Sequence, residues 1–568
     1  MKSNHKFILL SLVALALGAG SATTANASSV RGYIAQKGTS FYSKPTTRSH
    51  RRSTTTRYYN RQVRWTSEKK NKKGDFVKVY LGGKYLGWTF KGALLTNGTT
   101  QKVAGNGNYG VYSRFTSGPS HRVASMNNFK HGNIEANQTA KTRSGATYYH
   151  IAVDGHQAGW VNANFVLKNA LKTAGSVNLV RNGSYNWNTR DAVSFATNGS
   201  GTYIPASRVR PSRSSINCSR PGTTKVTYRY GKAQRTINVT VRSNKYEGYT
   251  DVNLTPVGHG YISSWHGKSR KSSRNFNARH HFRPETKPNT SYRSKGLNFT
   301  TRLFQPTRLS LTQNMRNSAF LRSDPESVAV SNGWMYTLYY KNTTDSRARI
   351  VAYNLRALGR FESQYINNCS YGKFKHLAGA IKVGPEIKAG HGQAFSATNG
   401  HLYIVADNNK LKNSEQSDEL IQVDKNTLQV QRVSSFKITN NSSLTPRYIH
   451  NATMGDDNTI YALFHNGGYG CYEIYQVKKS GNAWKPTEIG AIKSNLSNSP
   501  IQGFTYAARK HQFYIAVNDG IFRVSKRGKI LSTHKYKTKR ETEGLSANGG
   551  TLYEMLNQRA ELLQAPIK

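Results

Sequence analysis

The chain has 568 residues, too many for one ordinary core; at roughly 150 residues per domain, three or four domains are expected. Its 82 Lys and Arg against 27 Asp and Glu give a formal net charge of +55 with only 36% hydrophobic residues, and charge of that size has to sit on surfaces and meet a polyanion. Residues 1–300 hold 47 basic and 8 acidic residues, a net +39, against +16 for the rest, so paired-carboxylate chemistry is not expected in the first half and any catalysis belongs to the second.

Residues 1–27 contain no Asp or Glu. Lys2 and Lys6 precede an apolar run from Phe7 to Gly20, and Ala25-Asn26-Ala27 forms a small-x-small cleavage site, the order of a secretory signal. The run is short for a membrane span and no stop-transfer pattern follows. A secreted, extracellular chain starting near Ser28 is expected, with no transmembrane anchor. Nucleic acid is then not the partner of the charge; teichoic acids, acidic polysaccharides and the lipid head groups of a target-cell membrane are. Cys218, Cys369 and Cys471 are too few and too scattered for a disulfide scaffold or a zinc site. A Cys369–Cys471 bridge stays open, and no His stands at a spacing that singles out a cysteine nucleophile. No cofactor and no metal is expected.

Residues 75–95 (DFVKVYLGGKYLGWTFKGALL) align without gaps on residues 147–167 (TYYHIAVDGHQAGWVNANFVL), and Phe41-Tyr42-Ser43-Lys44 aligns on Val111-Tyr112-Ser113-Arg114. Two copies of one small barrel-like β module, residues 28–98 and 99–171, are predicted, each with an aromatic strand, a long basic or polar loop, an alternating strand, a Gly turn and a Gly-Trp strand. This order resembles the GW modules, a bacterial Src-homology-3-like (SH3-like) family of Gram-positive surface proteins. The resemblance implies noncovalent attachment to the cell wall, often through lipoteichoic acid. The loop from Pro45 to Lys73 carries Arg51, Arg52, Arg57, Arg61, Arg64, Lys69, Lys70, Lys72 and Lys73 with almost no acidic partner, which favours an anionic polymer. Trp88 and Trp160 are either core indoles or binding platforms; core packing is the simpler reading.

Residues 172–243 end in Pro221-Gly222, TTKVTYRYG and QRTINVTV, alternating strands around Gly231 that read as a hairpin, with Val177–Val180 and Val193–Phe195 as earlier strands. The tail resembles a bacterial immunoglobulin-like (Ig-like) module, and a spacer role is expected. Residues 244–295, rich in Ser, Asn, Arg and His, read as a basic linker. Its histidines His259, His266, His280 and His281 lack the spacing of a metal site.

Residues 296–568 contain five segments in which a polar residue starts a short strand and a Tyr ends the next: Glu326–Tyr336, Gln393–Tyr403, Asn451–Tyr461, Gln502–Tyr514 and Glu543–Tyr553. Asn332-Gly333, Asn399-Gly400, Asp457-Asn458 and Asn548-Gly549 supply hairpin turns. Asp456-Asp457-Asn458 reads as such a turn and not as a calcium loop. The fold class predicted is all-β and multidomain: two SH3-like barrels, an Ig-like sandwich and a C-terminal five-bladed β-propeller, with Asn298–Leu311 supplying a closing strand. Glu326, Gln393, Asn451, Gln502 and Glu543 should line its channel, with His391, His450 and Glu541 beside them and Arg540 as a basic neighbour. His391-Gly392-Gln393, Ser499-Pro500-Ile501-Gln502-Gly503-Phe504 and Glu541-Thr542-Glu543-Gly544-Leu545 occur in the order seen in the helveticin J-like bacteriocin family of lactobacilli, which this half resembles. The Glu-Gly-Leu element also resembles phytase-like esterase propellers. The resemblance implies a nonenzymatic, wall-associated binding protein with antibacterial activity. The alternative is a wall-bound glycan or phosphoester hydrolase with Glu326, Glu543 and Glu541 as catalytic carboxylates.

Overall fold

The computed structural model describes residues 29–568 apart from 114–120, 130–133, 142–145, 154–155, 244–283, 310–320, 323–324, 341–345, 367–370, 407–416, 440–446, 467–469, 493–499 and a few single positions. The expected signal segment, Cys369 and most of the expected basic linker lie outside the described residues. The chain divides into two compact units, one up to Asn97 and one from Gly98 to Lys568, and it is all-β apart from one described α-helix, Tyr371–Ala380, and short 3-10 turns.

In the first unit the hairpin of Gln62–Asn71 and Gly74–Leu81 pairs onward with Lys84–Phe90. Ile34, Phe41, Val63, Trp65, Val77, Val79, Leu86 and Leu94 form its core. The basic stretch predicted as one long loop therefore contains two strands, Arg51–Thr54 and Gln62–Asn71. Val63 and Trp65 point inward while Arg64 between them is exposed, the period of two expected of a strand with one face wet.

The Gly of each Gly-Trp pair has a steric cause. Gly87 and Gly159 stand at φ +134° and +135°. A Cβ on Gly87 would lie 2.8 Å from the Tyr42 carbonyl oxygen, and one on Gly159 would lie closer still to that of Tyr112. The first aromatic strand crosses so closely that only glycine fits. In both copies a bulge follows the residue opposite this Gly, Val79 or Ile151.

In the second unit, the Ig-like strands Gly222–Tyr230 and Ala233–Val241 form the expected hairpin, and Ser176–Leu179 runs parallel to the second of them. Beyond it, among the described residues, are five antiparallel sets of four strands, four of them separate sheets and the second in chain order part of a larger one. Their first strands, Pro325–Ser331, Phe395–Ala397, Asn451–Asp456, Gly503–Ala507 and Thr542–Asn548, neighbour one another in a closed cycle. Thr300–Phe304 pairs with Glu561–Pro566 and completes the fifth sheet. A buried ion pair between Arg540 and Glu561 lies at this closure, and Glu561 also accepts from Thr301 Oγ1 (2.5 Å) and Asn289 Nδ2 (2.8 Å). Asn289 belongs to the stretch expected to be linker. From Pro284 onward that stretch is tied to the sheets, with Glu285 and Gln364 exchanging hydrogen bonds of 2.9 Å.

The Ig-like module does not hold the sheets at a distance, as a spacer would. Ser176–Leu179 pairs in parallel with Val430–Phe436, the outer strand of the second sheet, placing Val177 opposite Val433. The two make one eight-stranded sheet, and Leu179 and Trp187 share a core with Leu338, Ile404 and Ile421. Val103, Phe129 and Phe165 of the second repeat share another core with Val328, Tyr353 and Leu377, the last from the helix.

Candidate functional site

Two surfaces collect the residues singled out by sequence. In the first unit, Arg51, Arg52, Lys69, Lys70, Lys72 and Lys73 are exposed, and Lys91 pairs with Glu68 at 2.8 Å. A ladder of cations and rings crosses the same module. The Arg64 guanidinium lies 5.2 Å from the Tyr80 ring, Lys78 Nζ lies 5.8 Å from Tyr80 and 5.2 Å from Tyr85, and Arg52 lies 4.9 Å from Tyr85. The two tyrosine rings are 5.4 Å apart. Burial pushes the Tyr85 phenol up, against the opposing pull of Lys78 and Arg52.

The two tryptophans differ in burial. Trp160 is buried, with its ring 5.1 Å from that of His150. Trp88 is half-buried and stands opposite Lys78, on the side of the sheet that carries the ladder. Core packing therefore describes Trp160, while Trp88 is half-buried. The second repeat has His150 and Ala152 where the first has Lys78 and Tyr80, so these two members of the ladder are not repeated there.

The second surface lies at the starts of the innermost strands. Gln393 Nε2 donates to Gln502 Oε1 (2.6 Å), and Gln502 Nε2 donates to Glu541 Oε1 (3.2 Å), joining the second, fourth and fifth sheets. Asn451 Nδ2 donates to the Ile501 carbonyl at 3.3 Å. The His391 and His450 rings meet edge-on at 5.4 Å, and Tyr448 stacks edge-on against His450 at 4.0 Å. Glu543 is buried and accepts from Asn557 Nδ2 at 3.2 Å, while Glu326 is half-buried. The ten-residue spacing to Tyr does not make Glu326 and Glu543 strictly equivalent: Glu326 pairs with Leu338, whereas Glu543 falls in the bulge between Thr542 and Gly544. Arg540 is not their counter-ion, because its guanidinium is used by Glu561 and by the carbonyls of Asn557 and Arg559. Asn557 and Tyr448 were missed in the sequence; the run Tyr448-Ile449-His450 just before a strand start was the available signal.

Other polar residues are structural. Asp457 accepts from Thr398 and from Tyr403 (3.1 Å) and lies 3.4 Å from His401 Nδ1. Burial opposes its ionisation, but these hydrogen bonds hold its carboxyl below the usual range, as suits a turn tied to the neighbouring sheet. Cys218 and Cys471 are free and buried, and burial pushes their thiols up to about 12 and about 11, the reverse of what a nucleophile needs.

Family comparison matches a GW (Gly-Tryp) dipeptide domain at residues 24–95 and 96–166, and a group 3 bacterial Ig-like domain at residues 186–241. The GW matches, which lie within residues 24–166, suggest a cell-wall-binding surface protein. No curated protein matches the sequence. Among solved structures, an autolysin from Listeria monocytogenes is similar at 17% identity and TM-score 0.17, over 37% of this chain and 92% of that one. Virginiamycin B lyase from Staphylococcus aureus is similar at 14% identity and TM-score 0.24, over 45% of this chain and 69% of that one. BamB from Moraxella catarrhalis is similar at 9% identity and TM-score 0.21, over 42% and 81%. At these scores the propeller-like description rests on the strand pairing.

Proposed function

We propose that this is a secreted protein whose first repeat, an SH3-like barrel, holds teichoic or lipoteichoic acid while a five-bladed propeller presents the mouth of its channel to a second ligand. The observation that carries the reading is the Arg64–Tyr80–Lys78–Tyr85–Arg52 ladder, in which rings keep cations spaced along an exposed face for the phosphates of a polymer. The second repeat shares its core with the sheets and serves as the attachment of the propeller. The helveticin J-like resemblance adds a target-cell surface as the place where the second ligand would lie. The hydrolase reading is less favoured: Glu326 and Glu543 do not share a register position, and Glu541 and Glu543 are each already engaged by a side-chain amide.

The test is binding of the secreted chain to immobilised lipoteichoic acid. An exposed cation of this kind contributes about 0.5–1 kcal/mol, so removing Arg52, Arg64 and Lys78 together by alanine substitution should cost about 2 kcal/mol, roughly 30-fold in affinity. Wild-type binding should also fall steeply between 0.15 and 1 M salt. Affinity that ignores both the salt and the triple substitution would refute the ladder as the polymer site.

A further inference from the structure

We propose that the fourth sheet carries an anion site of its own, at the end away from the channel mouth, for a phosphate-bearing polymer. The site lies wholly within the second compact unit and does not depend on the ladder of the first.

Register brings its residues together. The fourth sheet is a meander of Gly503–Ala507, Gln512–Val517, Gly520–Ser525 and Ile530–Lys535, so its first and third turns share one end. Gln512 stands opposite both Ala507 and Ser525, which sets the turn at residues 508–511 beside the turn at residues 526–529. These turns carry Arg509, Lys510, His511, Lys526, Arg527 and Lys529, all exposed except the half-buried Lys526. Residues 503–535 hold seven Lys and Arg and one acid, Asp519. Asp519 sits in the turn at the other end, where it accepts from the Thr538 amide and hydroxyl, both at 2.6 Å. The two acids in the corresponding turn of the third sheet are also used elsewhere: Asp457 accepts from Thr398 and Tyr403 of the second sheet, and Asp456 accepts from the Asn458 amide of its own turn.

The cations are held in place. Lys526 Nζ lies 5.4 Å from the Tyr461 ring of the third sheet and 5.1 Å from the Tyr506 ring of the fourth, and the two rings are 4.7 Å apart. Burial opposes the charge on Lys526, but its hydrogen bonds to the two phenols outweigh that and hold the ammonium above its ordinary range. An ammonium can only donate, so the Tyr506 oxygen accepts from it. The phenol then gives its own O–H to His511 Nδ1, 3.1 Å away, which leaves the imidazole proton on Nε2. The relay from Lys526 through Tyr506 thus ends in a donor on an exposed ring. The turn that bears Lys526 is closed by Ser525, which bonds Lys529 and Gly528 through its backbone (2.8 and 3.0 Å) and accepts from the Lys529 amide at Oγ (2.9 Å). The turn is also pressed against the outer strand of the third sheet, Ala483–Ile492: a Cβ on Gly490 would collide with the Arg527 backbone, and one on Gly528 with that of Ala491. Cations fixed in this way lose little freedom on binding. Arg509 and Arg527 offer paired N–H groups to oxoanion oxygens, and cations spread over two turns suit repeated phosphates more than a single anion.

The experiment is calorimetric titration of the full secreted chain, with Arg52, Arg64 and Lys78 already replaced by alanine, against inorganic polyphosphate and against polyglutamate of equal charge. Polyphosphate should still bind, at least about 10-fold more tightly than polyglutamate. Arg509→Gln, Lys510→Gln and Arg527→Gln together should weaken it by about 10-fold and flatten its salt dependence. Lys225→Gln, Arg229→Gln and Arg235→Gln, which remove the same charge from exposed positions of the Ig-like hairpin, should weaken it by less than about 3-fold. Equal losses in the two triple variants would reduce the effect to net charge and overturn the site, as would absence of polyphosphate binding. Polyglutamate binding as tightly as polyphosphate would overturn the phosphate assignment.

Discussion

Glu419 gives the sharpest test of how the Ig-like module is held. It is buried in the third strand of the second sheet and accepts from Tyr185 OH (3.0 Å) and Trp187 Nε1 (3.3 Å), both on the Ig-like side. Asp191 lies close by, with Lys388 Nζ at 3.9 Å and Arg347 Nη1 at 3.8 Å from its carboxylate, and Arg347 also faces Glu386. Burial first, then the negative charge of Asp191, pushes the Glu419 carboxyl up from 4.5 to about 7, against the opposing pull of Lys388 and the two donors. A carboxyl raised in the folded state binds its proton more tightly there than in the unfolded chain. Its contribution is therefore complete below pH 4.5 and is lost as the pH rises through about 7. The span corresponds to about 3 kcal/mol. Glu419→Gln cannot ionise, and its NH₂ opposes one of the two donors, costing about 1–2 kcal/mol in acid. Measured by scanning calorimetry at steps between pH 4.5 and 8, the variant should melt below wild type in acid and gain on it by about 3 kcal/mol toward pH 8, each kcal/mol moving the midpoint on the order of 1–2 °C in a unit this large. Midpoint curves that run parallel across the range would refute the proton linkage at this junction.

Two further substitutions test the backbone and the closure. Gly159→Ala places a Cβ against the Tyr112 carbonyl at a positive φ and should destabilise the second repeat by about 2–3 kcal/mol; an unchanged melting profile would contradict the close-crossing account of the Gly-Trp pair. Glu561→Gln leaves the Arg540 guanidinium buried without its carboxylate and should cost about 3–5 kcal/mol, seen as lost hydrogen-exchange protection along Thr300–Phe304; full protection there would show that strand pairing alone closes the last sheet.

Where sequence and structure agree, the signal is local. The Tyr-bearing second strands, the hairpin around Gly231 and the closing strand are all periodic runs bounded by turn residues, and each is present. The turns show the limit of such reading: Asn332 and Gly333 take the left-handed angles of a two-residue loop, but in the last sheet Asn548 pairs with Thr551, leaving Gly549-Gly550 as the loop. Strands Arg51–Thr54 and Gln62–Asn71 were hidden because their outward positions carry Arg, Lys and Ser, which read as loop until Val63 and Trp65 are seen to be buried. The bulge at Glu543 displaces an alignment that counts residues from Tyr. The polar relay was anticipated as a set of residues but not as a chain with a direction, since the order Gln393, Gln502, Glu541 links strands that are not neighbours in sequence. The edge pairing of Val177 with Val433 joins residues more than 250 positions apart, and no short-range pattern encodes it.

That edge pairing also constrains how the protein can be cut or inherited. A fragment beginning near residue 296 would strip Ser176–Leu179 from Val430–Phe436, baring the amides of an edge strand and turning Glu419 toward water, so the ring would be prone to pair with other copies of itself. The same holds for recombination: a crossover between the Ig-like module and the sheets would join two halves with mismatched seams. From Gly98 onward the chain is one compact unit, so an exchange that is to keep the ring closed to other copies has to carry Ser176–Leu179 together with Val430–Phe436.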